Sequence, residues 1–79
     1  MLQKGMEMDK LYWTLICREK DGKWYPQFGG YTRKEVAAEE QSAYARDYKP
    51  LDRQIICTNE DQAAINRHIE MVNAQWGHR

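Results

Sequence analysis

The sequence predicts one small α+β domain with elements in the order β-β-α-β-α. Three observations carry that reading. An Asp-Gly turn joins two aromatic-rich runs, two capping-box signatures each open a helical stretch, and a short isoleucine-rich run lies between those helices.

The chain has 79 residues, room for a single domain. A domain of this size buries only roughly 60% of the surface its unfolded chain exposes, so its core is thin. Three tryptophans, five tyrosines and one phenylalanine enlarge that core, because each ring brings a large apolar area. No apolar run approaches the roughly 20 residues of a membrane span. The opening segment 1–9 carries no apolar stretch of the signal-peptide kind and reads as a flexible tail. Residues 10–76 form the predicted domain, and 77–79 a short C-terminal tail. Cys17 and Cys57 lie inside apolar runs, which points to buried free thiols in a reducing cytoplasm. Net charge is zero, yet unevenly spread. From Lys10 to Lys34 six basic residues face two acids; from Glu35 to Glu70 eight acids face four basic residues. Such a dipole steers partners or favours self-association, and says nothing about fold.

Leu11–Arg18 is the strongest strand signal. Leu11, Trp13, Leu15 and Cys17 point one way and Tyr12, Thr14, Ile16 and Arg18 the other, both sets largely apolar, as suits a central strand. Asp21-Gly22 makes the hairpin turn, and residues 23–28 return as a second strand. Pro26 cannot donate to a ladder, so that strand belongs at an edge. Thr32 and Glu35 form the first capping box, opening a helix from Arg33 to about Tyr48 that Pro50 stops. Val36, Ala37, Ala43, Tyr44 and Tyr48 share one face of it, with Glu40 and Asp47 inside the same arc. Arg53–Thr58 is a short third strand. Asn59 and Gln62 form the second capping box, and Ile65, Ile69, Val72 and Trp76 make a one-sided apolar stripe ending at Gly77.

Connection rules place the most apolar strand in the middle, giving sheet order 2-1-3, with the third strand parallel to the second and both helices on one face. The cysteines then lie toward opposite ends of the sheet, too far apart to bond. The other face is left open, carrying Tyr12, Thr14, Ile16 and Arg18, joined by Tyr25. An exposed face of this kind marks an interface.

Little in the chain resembles catalytic chemistry. Gly29-Gly30 precedes a helix but lacks the lysine and spacing of a phosphate loop. Cysteines and histidines are not at metal-ligand spacing, so no metal and no cofactor is expected. Glu40 and Asp47, seven residues apart, would sit about 10.5 Å apart along a helix, too far to share a proton or an ion. They are expected to meet a basic group such as Arg53 or to fringe the helix–sheet junction, since buried carboxylates survive only when paired.

The segment Gly22-Lys-Trp-Tyr-Pro-Gln-Phe-Gly-Gly-Tyr-Thr-Arg-Lys-Glu-Val36 resembles a box, G-x-W-x-P-Q-F-G-D-Y-x-R-x-x-V, of small uncharacterised proteins encoded by phages and prophages. Gly30 stands where that group commonly has Asp. The resemblance covers about residues 11–74 and implies a bacterial cytoplasm and an accessory gene, but no activity. The expectation is therefore a non-enzymatic phage or prophage accessory protein. It would act as a small interaction module on a host or phage protein through the open face or an edge strand, with self-association through the same surface. The alternative is single-stranded nucleic-acid binding by Lys20, Lys23, Trp24, Arg33 and Lys34, where rings stack bases and cations follow phosphates.

Overall fold

The computed structural model describes residues 10–76; the predicted tails at 1–9 and 77–79 lie outside the described residues. Strand β1 (Leu11–Arg18) is followed by β2 (Trp24–Gly30), helix α1 (Arg33–Glu39), strand β3 (Arg53–Asn59) and helix α2 (Gln62–Trp76). The sheet order is β2-β1-β3, with β1 antiparallel to both neighbours. The fold is α+β with the predicted strand order. Gly22, at φ 85°, closes the hairpin in a conformation side chains rarely adopt.

The helices do not share a face. On one side of β1, Leu15 and Cys17 meet Val36 of α1, with Trp13, Phe28, Tyr44, Tyr48 and Ile55 around them. On the other side, Ile16 meets Ile65, Ile69 and Val72 of α2, together with Trp24 and Ile56. Each helix therefore covers one face of the sheet, and the expectation of two helices on a single face is corrected. With Leu15 and Cys17 on one face of β1 and Ile16 on the other, two helices on a single face would leave one of these apolar sets in water. The apolar character of both faces of β1 requires a cover on each. Burying Ile65, Ile69 and Val72 contributes about 1.5–3 kcal/mol per side chain, far more than local helix propensity offers.

A bulge sets the faces of β2. Pro26 lies opposite Ile16 but Phe28 lies opposite Leu15, so the ladder skips Gln27. The extra residue turns Phe28 to the α1 side, while Trp24 before it stays on the α2 side.

The first helix is shorter than its sequence pattern. The α-helical turns end at Glu39 and continue as a π-helical stretch, Glu40–Tyr44, before a turn and a 3-10 stretch, Pro50–Asp52. The wider π turn delays the helical phase and brings Tyr44 and Tyr48 back under the sheet with Val36. It also takes Asp47 off the Glu40 line. Thr32 caps α1 as predicted, its hydroxyl oxygen accepting the Glu35 N–H at 3.2 Å. At α2 the cap is two residues later than the sequence pattern suggests: Asp61 Oδ1 accepts the Ala63 N–H at 3.3 Å, and Asn59 Oδ1 instead accepts the Asp61 N–H at 3.0 Å.

Candidate interaction surface

The face predicted to be open is covered by α2. Ile16 has no exposed surface and Thr14 is 4% exposed. Tyr12 is half-buried, its ring edge-on to Tyr31 at 5.1 Å. A side chain at Gly29 would collide with the Tyr12 phenol, so the glycine makes room for that ring. Arg18 is held inward: Nε and Nη2 donate to Asp52 Oδ1 at 2.9 and 2.6 Å, and the guanidinium lies 4.3 Å from the Trp76 ring centre. Tyr25 pairs with Cys17 and so belongs to the opposite face, with its phenol donating to Asp21 Oδ2. The five residues form no common open surface. The proposed docking face is replaced by core, because α2 carries a full apolar stripe and takes the only uncovered side of the sheet.

The basic aromatic set is also dispersed. Trp24 is 1% exposed and leans on the Trp76 ring at 5.6 Å, so no base can stack on it. Lys20 and Lys23 sit at the hairpin turn, whereas Arg33 and Lys34 open α1 beyond the far end of β2. At about 3.3 Å per residue the strand holds these pairs roughly 20 Å apart. The exposed ring that precedes Arg33 in sequence is Tyr31, and Lys10 lies 5.3 Å from its centre.

Polar groups do gather at the hairpin end of the sheet. Arg18, Glu19, Lys20, Asp47, Tyr48 and Asp52 line an open cleft of about 650 Å³. Four of its members are paired within it, Arg18 with Asp52 and Tyr48 with Glu19. The Tyr48 phenol donates to Glu19 Oε2, a bond that pushes the phenol up to about 12. Beside it, burial and then the Glu19 charge push the Cys17 thiol up to about 11, so it stays a neutral core group. Glu40 meets Arg53, Oε2 to Nη1 3.4 Å, with side chains 17% and 7% exposed. That is the basic partner expected for it; Asp47 lines the cleft instead. The contact lacks hydrogen-bond geometry, since Arg53 Nη1 and Nε are buried without a hydrogen-bond partner among the described residues. Among the described residues no three His, Cys, Asp or Glu side chains come together as a metal ion would need. Among the described residues no helix is long and apolar enough to cross a membrane.

The two sheet edges differ sharply. On β2 the Trp24 N–H donates to Asn73 Oδ1 at 2.6 Å and Asn73 Nδ2 donates to the Trp24 carbonyl at 3.3 Å. The backbone of Trp24 therefore points away from β1, and alternation gives Pro26 the next outward position, where it has no N–H to offer. The bulge at Gln27 breaks the edge further. The same alternation turns Tyr12, Thr14 and Ile16 of β1 toward β3, so their partners Thr58, Ile56 and Gln54 bond inward. The outward set on β3 is then Arg53, Ile55, Cys57 and Asn59. The Arg53 N–H is taken by the Pro50 carbonyl and the Asn59 carbonyl by the Thr58 hydroxyl. Ile55 and Cys57 keep outward N–H and C=O groups that no described residue bonds. No proline, bulge, lysine or side-chain amide blunts this edge.

Comparison with protein-family models, with curated proteins and with solved structures finds no match. Sequence reasoning passed over Ile55, Cys57 and Asn73. The signal for the first two was present: a strand placed last in the order 2-1-3, with no gatekeeping residue between Gln54 and Thr58. Asn73 gave none, because its role depends on which backbone groups of Trp24 face outward.

Proposed function

We propose that this chain is a small non-enzymatic interaction module that takes a partner strand onto the free edge of β3. The observation that supports this reading is the contrast between edges. β2 is blocked by Pro26, the Gln27 bulge and the Asn73 carboxamide, whereas β3 offers the unbonded backbone groups of Ile55 and Cys57. Strand addition draws affinity from such main-chain groups and specificity from alternate side chains. Here Ile55 flanks the edge on the α1 side and Ile56 on the α2 side. The resemblance of Gly22–Val36 to a box of small phage and prophage proteins, with Gly30 in place of its Asp, is the ground for reading an accessory role in a bacterial cytoplasm, with a host or phage protein as the partner.

The test uses the full chain as bait, followed by amide hydrogen exchange on the captured complex. Protection of the Ile55 and Cys57 amides on binding is expected. Cys57→Pro should abolish capture while leaving the circular dichroism spectrum unchanged, because it removes an outward N–H and no ladder bond. Protection confined to another surface, or undiminished capture by a folded Cys57→Pro variant, would overturn the reading.

A further inference from the structure

We infer that the β3 edge pairs antiparallel with the β3 edge of a second copy of this chain, about a two-fold axis near Ile55–Cys57. This inference rests on the edge reading above and names its occupant.

Charge decides the direction. Exposed Lys49 precedes β3, and exposed Glu60 and Asp61 follow it. Antiparallel pairing sets the Lys49 end of each copy beside the Glu60–Asp61 end of the other, twice over; the Asp52 carboxylate at the same end is already taken by Arg18. Parallel pairing would set Lys49 beside Lys49 and acids beside acids, which is destabilising. Apolar surface follows the same symmetry. Leu51 (78% exposed) lies at the start of the edge and Leu11 (52% exposed), the β1 partner of Asn59, at its end. The two-fold brings the start of one edge alongside the end of the other. Ile55 and Cys57, both half-buried in one copy, gain cross-strand neighbours on the α1 side, and Ile56 does so on the α2 side.

The blocked β2 edge determines where assembly stops. An isologous contact through β3 consumes the free edge of both copies, and the outer edges that remain are the two β2 strands with their prolines, bulges and Asn73 caps. The product is a closed pair with one sheet running through both copies.

Sedimentation equilibrium of the full chain over a concentration series tests this. A mass rising from one copy to two, and no further, is expected. Cys57→Pro should hold the chain as a monomer. Lys49→Glu and Glu60→Lys should each weaken association by on the order of tenfold, because each turns two symmetry-related opposite-charge contacts into like-charge ones. The double variant Lys49→Glu/Glu60→Lys should restore it. These two side chains are exposed, so the charge reversal keeps the experiment informative where Cys57→Pro fails to fold. A wild-type chain that stays monomeric at millimolar concentration overturns the self-pairing, as does a dimer indifferent to all four variants. Should the wild type remain monomeric while Cys57→Pro still abolishes capture of another protein, the edge reading stands and the second copy as occupant falls.

Discussion

Glu40 reaches Arg53 where the π-helical turn crosses the start of β3, Oε2 to Nη1 3.4 Å, with the arginine 7% exposed. Arg53 lies opposite Cys17 in the sheet, so its stem belongs to the α1-side core while its charge has one carboxylate for company. A buried charge stripped of its partner costs about 3–5 kcal/mol, whereas replacing both members by apolar groups of similar volume is often neutral. Glu40→Ala is expected to lower stability by about 3 kcal/mol in urea denaturation, with an unchanged denaturant slope. Glu40→Ala/Arg53→Met should recover most of that loss. A neutral Glu40→Ala would show that the arginine already finds solvent.

Arg18 joins three elements at the same end of the sheet: β1, the 3-10 stretch through Asp52, and the last turn of α2 through Trp76. The ion pair is partly exposed, 27% and 28%, so screening holds its contribution to about 1 kcal/mol. The stacked ring adds about 0.5–2 kcal/mol. Arg18→Lys keeps the charge but loses the planar fork and most of the stacking. Its expected effect is about 1 kcal/mol of destabilisation together with faster amide exchange in the final turn of α2. Asp52→Asn should cost less than Arg18→Lys, and the reverse ranking would place the weight on the ion pair.

The strand order and the cap at Thr32 were legible because they depend on neighbours in sequence: an Asp-Gly turn, a proline at an edge, a hydroxyl at a helix start; the second cap, read at Asn59, lies at Asp61 instead. The distribution of helices was only half legible: alternation along β1 shows that both faces are apolar, but which helix covers which face depends on long-range packing that sequence neighbours do not report. Phe28 illustrates the same limit. Strict alternation puts it with Trp24, and a single bulged residue, Gln27, moves it across the sheet. The π turn likewise reverses the reading of the Glu40–Asp47 line, keeping Glu40 at the junction and releasing Asp47 to the cleft. Thr14 and Ile16, read as interface residues, are core beneath α2, and the outward backbone groups of β3 are something side-chain patterns do not report.

Asn73 acts as a stand-in strand for one residue of β2, satisfying both backbone groups of Trp24. Truncation to alanine leaves a donor and an acceptor unpaired at a part-buried site, at a cost of about 1–3 kcal/mol. Asn73→Ala should therefore lower the midpoint of urea denaturation. It should also expose β2 to pairing, seen as species heavier than two copies in light scattering. Asn73→Asp keeps the acceptor for the Trp24 N–H and loses the donor to its carbonyl, so an intermediate stability is expected. Equal stability of all three forms would assign edge protection to Pro26 and the bulge alone.

The two raised acids at the hairpin end make stability fall in alkali. Cys17, with no exposed surface, is pushed from 9.0 up to about 11, chiefly by burial, and Tyr48 from 10.0 up to about 12, chiefly by its bond to Glu19. In both cases the folded state holds its proton more tightly than the unfolded chain. Their contribution is complete below pH 9.0, the lower of the unfolded values, and is lost as pH rises through about 11 and then about 12. The Cys17 part amounts to at most about 2–3 kcal/mol at 1.36 kcal/mol per unit. Thermal melting temperature should hold steady up to pH 9 and decline above it. Tyr48→Phe should lower stability at neutral pH by removing the phenol–carboxylate bond, yet flatten the upper part of the alkaline decline. Cys17→Ala should flatten its lower part. A melting temperature that falls just as steeply in both variants would mean that other groups govern alkaline unfolding.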